Sequence, residues 1–337
     1  MIIILGGAQT ASPQTIKEGS ATMRICSFLP STTEIVYELG LGESLVGVTH
    51  ECDYPPEVKD KDVVILSFLD HKKLSSKEID DLVTKNSQEG KSTYLVDKEA
   101  LKKANPDIIL TQKLCEVCAV SGNQVMEAVE VLGHTPEIVS LEPTTVYEIF
   151  DTITTIGEAT GAEERAKEIT DSLKARVEKI RSALENERDR PRVFCLEWLD
   201  PPFVGGHWVP EMVEIAGGEN GIGKAGEPSF KATWEEIADF APHKLFIMPC
   251  GFDIEKTINE LDVVTSKDEW FSLPATNKGE IYIVDANSYF SRPGPRIVDG
   301  LEILARAIHP EIIKNYSPPP DSIINLRNYM QLELFSG

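Results

Sequence analysis

From Met23 onward, short apolar runs alternate with stretches in which apolar residues recur every three or four positions. That rhythm predicts strands alternating with helices, the pattern of a parallel α/β sheet. Arg24–Phe28, Leu45–Val48, Val63–Leu66, Tyr94–Val96, Asp107–Leu110 and Glu137–Val139 read as strands. After the first of them, Pro30-Ser31-Thr32-Thr33-Glu34 opens a helix. Glu34 stands three residues after Ser31, as in a capping box, and Gly40 ends the helix. Helical spacing also marks Ser76–Glu89, Lys98–Ala104 and about Asn123–Leu132.

Thr145–Ala159 and Glu163–Glu187 then predict one long helical stretch with a break at Gly161, long enough to join two lobes at 1.5 Å per residue. Beyond it the alternation resumes. Arg192–Leu196, Lys244–Met248 and Ile281–Val284 read as strands; Val209–Ala216, Trp234–Phe240, Ile254–Glu260 and Pro295–Ile308 read as helices. Pro318-Pro319-Pro320 closes the domain, and Ile323–Phe335 has the spacing of a short amphipathic helix. The expected organisation is a flexible leader (residues 1–22), an α/β lobe (23–143), linking helices (144–190), a second α/β lobe (191–310) and a tail (311–337).

The 337 residues are 41% hydrophobic and 26% charged, an ordinary globular composition, but the net charge is −22. Such a surface repels phosphate backbones and anionic headgroups, which argues against nucleic acid and bare membrane as partners. No run approaches the eighteen or so apolar residues of a spanning helix. The short apolar stretch Ile2–Leu5 has no Lys or Arg before it and does not read as an export signal, so the expected location is the cytoplasm.

In open α/β sheets ligands gather beyond the carboxyl ends of the strands. The segments there are rich in thiols, carboxylates and aromatics: Thr49–Asp53, Thr111–Cys118, Glu197–Phe203, Pro249–Asp253 and Asn287–Arg296. Cys115 and Cys118 form a C-x-x-C without a second such pair at zinc-finger spacing. Cys52, Cys250, His50 and His207 could add soft donors for Zn²⁺ or an iron–sulfur cluster; the plainer alternative is small thiols filling strand-end packing. Arg292 and Arg296 bracket a Pro-Gly-Pro turn, and Arg292 is the better placed to hold a carboxylate, amide or phosphate of a ligand. Glu51, Asp53 and Glu197 with His50 could perform acid–base work if they converge, although carboxylates around a cleft more often fix loops or ligand amides. No phosphate-binding loop and no Gly-x-Ser-x-Gly elbow is present, so binding outranks catalysis.

Phe28–Glu34, Gly47-Val48, Asp53–Pro56, Asn105–Ile109, Pro201–Phe203, Gly217–Asn220, Trp234–Ile237 and Ser291–Arg296 follow one another in an order that resembles the binding proteins of vitamin B12 and ferric-siderophore ABC importers. The resemblance covers about Met23 to Pro310 and is strongest to a leaderless branch labelled cobalamin-binding, in His50–Pro55, Thr111–Ser121, Leu196–Met212 and Tyr289–Glu302.

That resemblance implies an α/β fold of two Rossmann-like lobes bridged by a long α-helix, with the ligand cleft between them. It implies cobalamin or a related corrinoid as ligand, held on aromatic faces with few polar contacts. Phe203 is the best-matched aromatic; Phe68, Trp208, Phe230, Tyr289 and Phe290 are further candidates, with Glu51 and Arg292 as polar neighbours. The family docks an ABC permease through one acidic residue per lobe, and Glu99 and Glu235 hold the similar positions. Both also stand near helix starts, where a carboxylate favours the helix dipole. A metal or iron–sulfur protein, and an exported importer component, remain the alternative readings.

Overall fold

In a computed structural model of the chain, which describes residues 23–69, 73–112 and 129–336, the apolar runs build two sheets. The first contains β1 (Ile25–Ser27), β2 (Leu45–Thr49), β3 (Val63–Ser67), β4 (Tyr94–Val96), β5 (Ile108–Thr111) and β6 (Glu137–Ser140), in the order β4-β3-β2-β1-β5-β6. All neighbours are parallel except β3 and β4. The central strands β1 and β5 are buried along their whole length, as continuous apolar runs should be when both faces are covered. At the edge, β6 leaves Ile138 exposed.

The second sheet contains β7 (Arg192–Trp198), β8 (Phe203–Val204), β9 (Glu219–Asn220), β10 (Phe230–Lys231), β11 (Lys244–Ile247), β12 (Ile281–Val284) and β13 (Ile323–Asn325). Its order is β10-β8-β7-β11-β12-β13, with β9 paired to β7. Its centre, β7-β11-β12, is parallel; β8, β10 and β13 run antiparallel to their neighbours. The tail therefore differs from a single helix. Ile323–Asn325 completes the otherwise unpaired edge of β12, and the helix runs Leu326–Ser336.

The link between the sheets also differs from one straight rod. The helix Val146–Thr160 ends at Gly161 in the left-handed conformation (φ 71°), and a second helix, Glu163–Leu184, folds back onto it. A Cβ on Gly157 would lie 2.4 Å from that of Ala166, whereas nine residues of unbroken helix would separate them by about 13 Å. Only glycine permits this approach. The connector buries Ile149, Ile153, Ile156, Leu173 and Val177 in one cluster that includes Ile25 of the first sheet and Val193 and Leu301 of the second lobe. The lobes thus share a continuous core.

The first helix, Pro30–Glu38, begins at a Leu29 N-cap with no side-chain cap, so the expected Ser31–Glu34 capping box does not form. Pro30 at the first turn needs no N–H partner, and Glu34 is drawn instead to guanidinium groups of the other lobe.

Candidate functional site

The carboxyl ends of the two sheets meet. Arg292, beyond β12, donates through Nη1 to Glu34 Oε1 (3.3 Å) and Asp53 Oδ1, and through Nη2 to Asp53 Oδ2 (3.1 Å), the Glu51 carbonyl (3.2 Å) and Asn287 Oδ1 (3.0 Å). Arg296 donates from Nε and Nη2 to the two oxygens of Glu34, at 2.9 and 2.6 Å. Its guanidinium also lies 4.2 Å from the Tyr54 ring centre and 5.7 Å from that of Tyr289. Asn287 completes the junction by donating to Asp53 Oδ2 (3.3 Å).

Glu34 is 2% exposed and Arg292 8%, so these charges are almost removed from water. Burial alone would pull the Arg292 pKa down, but Asp53 and Glu34 hold it above its ordinary value. Burial likewise opposes ionisation of Asp53, and the Arg292 hydrogen bonds and charge outweigh it, leaving Asp53 below the usual carboxylate value. Arg292 is thus committed to an interlobe junction, with every guanidinium contact named above made to the protein itself.

The aromatics separate into two groups. Trp208 and Phe290 are packed in the larger core, and the Trp208 indole N–H donates to the Phe290 carbonyl at 2.8 Å. Phe203, Tyr289, Phe68 and Phe230 keep exposed surface; Phe68 is 69% exposed beyond β3, and Phe230 is 44% exposed on β10. Lys231 sits 5.6 Å from the Phe203 ring centre. Glu51 is half-buried, with Nε2 of His50 at 4.0 Å and the Tyr94 hydroxyl donating to it at 3.4 Å. Glu197 accepts from the Gly206 N–H (3.0 Å), fixing the loop after β8. Glu51, Asp53 and Glu197 are therefore engaged with loop and interlobe partners.

That loop is tightly made. A Cβ on Gly206 would meet Ser229 N at 2.1 Å, and His207 adopts a left-handed conformation (φ 52°) while its N–H donates to the Glu227 carbonyl. Burial pulls the His207 pKa below the ordinary imidazole value. Gly206 does not stand out by spacing, and only a Gly-Gly-His run hints at the turn.

Those candidate metal ligands that the structure describes, Cys52, Cys250, His50 and His207, form no metal-holding group. Among the described residues, no three His, Cys, Asp or Glu side chains come together as a metal-holding group. Cys52 and Cys250 are free thiols; Cys52 shares a hydrogen bond with Thr33 Oγ1 (3.0 Å), and burial pushes its pKa up to about 12. A thiol held protonated is a poor ligand, so Cys52 reads as packing. His50 and His207 join no such cluster, and Cys115 and Cys118 lie outside the described residues.

Glu99 and Glu235 are both exposed, each in the first turn of its helix, Lys98–Ala104 and Trp234–Phe240. On the connector side of the Arg296 junction a cavity of about 470 Å³ is lined by Tyr54, Tyr289, Arg296, Arg176, Asp299 and Glu168, among others. Its charges are balanced.

With this two-lobed geometry in view, residues 25–288 match the family described as periplasmic binding protein. The chain belongs to that family. A relative named as an ABC transporter substrate-binding lipoprotein, YvrC of Bacillus subtilis, is 25% identical over 90% of this chain and 85% of its own length. The binding protein also shares its fold with the periplasmic vitamin B12-binding protein BtuF of Vibrio cholerae (TM-score 0.61, 20% identity, 87% of this chain and 98% of that one). A similar match is the apo periplasmic heme-binding protein RhuT of Roseiflexus sp. RS-1 (TM-score 0.64, 20% identity, 86% and 99%).

Members of this family are substrate-binding proteins of transport, not enzymes, with a small-molecule ligand and an ABC permease as partners. These findings overturn the expected cytoplasmic location. The family is periplasmic by description, and the Bacillus relative is a lipoprotein, so such proteins work outside the cytoplasm. Among the described residues no helix of the binding protein is long and apolar enough to cross a membrane.

Proposed function

We propose that the binding protein captures a corrinoid, cobalamin or a close relative, between its lobes and delivers it to an ABC permease. The observation that carries this reading is one aromatic with open surface at the carboxyl edge of each sheet: Phe68, exposed beyond β3, and Phe203, half-buried on β8 beside the end of β7. Two apolar faces on converging edges suit a broad flat macrocycle, and burying each contributes about 1.5–3 kcal/mol. Glu51 and Tyr289 border the junction between these edges and are the polar partners for side-chain amides of the guest. Glu99 and Glu235, one on each lobe and both exposed, are the acidic contacts offered to the permease. The names of relatives that bind vitamin B12 or heme support a tetrapyrrole guest.

Titration of the full chain with cyanocobalamin and, separately, hemin, followed by tryptophan fluorescence and visible absorbance, tests the proposal. Stoichiometric binding of cyanocobalamin at micromolar concentration or below is expected. Stoichiometric hemin binding with no response to the corrinoid would transfer the site to heme, and silence with both would end the tetrapyrrole reading.

A further inference from the structure

Antiparallel neighbours such as β3 and β4 can be joined by a turn of about two to five residues. The chain instead places residues 68–93 between them. The helix in this excursion, Ser76–Gln88, is laid on the other lobe. The Ser76 carbonyl accepts the Trp198 indole N–H (3.2 Å), and the Ser76 N–H donates to Glu260 Oε2 (2.7 Å). Lys256 donates to the Leu74 carbonyl (2.8 Å), and Lys231 pairs with Asp80 (3.0 Å). Ile79, 4% exposed, enters the second lobe's own cluster beside Phe252 and Leu199, with Leu74 and Val83 against it.

The attachment is a single stripe. Ser76, Ile79, Asp80 and Val83 fall at i, i+3, i+4 and i+7, while Lys77, Asp81 and Lys85 on the remaining surface face solvent. A helix held by so few buried apolar contacts is a low-stability unit that can open without the sheets. Capping keeps it helical when it does: Ser75 and Glu78 form a complete capping box within the segment. Its position matters for the guest, because Lys231, which holds Asp80, is the residue that lies over the Phe203 ring.

We infer that Leu74–Gln88 is a hinged strap, rooted in the first lobe, which clasps the second lobe across the aromatic edge and must lift for a guest to enter or leave. The inference rests on the cleft reading above, and it departs from a cleft that merely stands open between rigid lobes.

Hydrogen exchange on the guest-free protein reads the strap without any ligand. Amides of residues 79–88 are expected to exchange together, at least 100-fold faster than those of β1 and β7; exchange only at the rate of global unfolding would overturn the strap. Stopped-flow binding of cyanocobalamin or hemin, whichever binds, reads its role. The double variant Ile79→Ser/Asp80→Ala is expected to release the guest at least tenfold faster with an unchanged far-UV spectrum, and Lys231→Ala a few-fold faster. Conversely, coupling Lys231 to Asp80 with a zero-length carbodiimide, verified by peptide mass spectrometry, is expected to slow association at least tenfold. Unaltered rates in the released and cross-linked proteins would refute gating. Should neither tetrapyrrole bind, the proposed ligand fails while the exchange result still decides whether the strap opens.

Discussion

Arg296 and Glu34 lie 262 residues apart and belong to different lobes, yet their side chains form a two-pronged ion pair at 2.9 and 2.6 Å with Glu34 almost wholly buried. Arg292 shares the same carboxylate. One acid thus bridges two guanidinium groups at the junction on which the lobes are set, and Asp53 supplies the second negative charge that balances them from the surface side.

Removing that acid leaves two buried cations under-compensated. Glu34→Gln is expected to cost about 3–5 kcal/mol in urea unfolding, the scale for breaking a buried pair. The exposed Lys167–Asp171 pair on the connector is the control. Asp171→Asn there is expected to cost about 0.5 kcal/mol or less. Equal costs would mean that the junction is not tightly buried in solution.

Asp53 gives the junction a pH dependence of known sign. Its folded pKa is held below the ordinary carboxylate value by Arg292, so its stabilisation is complete above about pH 3.9 and is lost as pH falls through the lower folded value. Urea midpoints of the native protein and Asp53→Asn should differ at pH 6 and converge as the pH drops below 4. The gap should be about 1 kcal/mol or less, because the carboxylate is half exposed and screened.

Gly206 tests the loop that carries His207 and Trp208. A Cβ there would overlap backbone atoms of Pro228 and Ser229, which cannot yield as a flexible side chain would. Gly206→Ala is expected to destabilise by about 1–3 kcal/mol, the scale of overpacking, and to weaken guest binding by shifting β8 and β10. A thermal melt and a titration on the same variant check both.

The thiols report on burial. Cys52, with its pKa raised to about 12, should be alkylated by iodoacetamide at pH 8 at least 100-fold more slowly in the native than in the urea-unfolded protein. Peptide mass spectrometry reads each cysteine separately. Rapid native labelling of Cys52 would show that Thr33 and the first helix do not seal it.

How much of this was legible in the residues depends on range. The parallel alternation was plain because β1, β5 and β7 are continuous apolar runs, and Gly161 marked the break in the connector by its place after a helical pattern. The fold-back itself was not legible, since it rests on the contact of Gly157 with Ala166, which no one-dimensional spacing reveals. Ile323–Asn325 reads as the start of a helix in the sequence because a three-residue strand has no period of its own; the open edge of β12 decides it.

At the site, local chemistry placed Glu51, Asp53, Phe203 and Arg292 near the strand ends, but not what they touch. Arg292 and Glu34 find each other only when two sheets converge, so a capping box was the reasonable local expectation for Glu34. Trp208 and Phe290 carry the same aromatic signal as Phe203, and only three-dimensional packing places them in the core. Cys52 and Cys250 each stand beyond a strand, as ligands would, yet among the described residues they join no metal-holding cluster.

The central claim is that one flat guest touches both lobes, and a double-mutant cycle on Phe203 and Phe68 reads it most directly. Cyanocobalamin affinities of the native protein, Phe203→Ala, Phe68→Ala and the double variant would be compared at equilibrium. Each single change is predicted to weaken binding by about 10–100-fold, the worth of one buried aromatic face. Native affinity in both single variants would contradict a guest held between the two sheets.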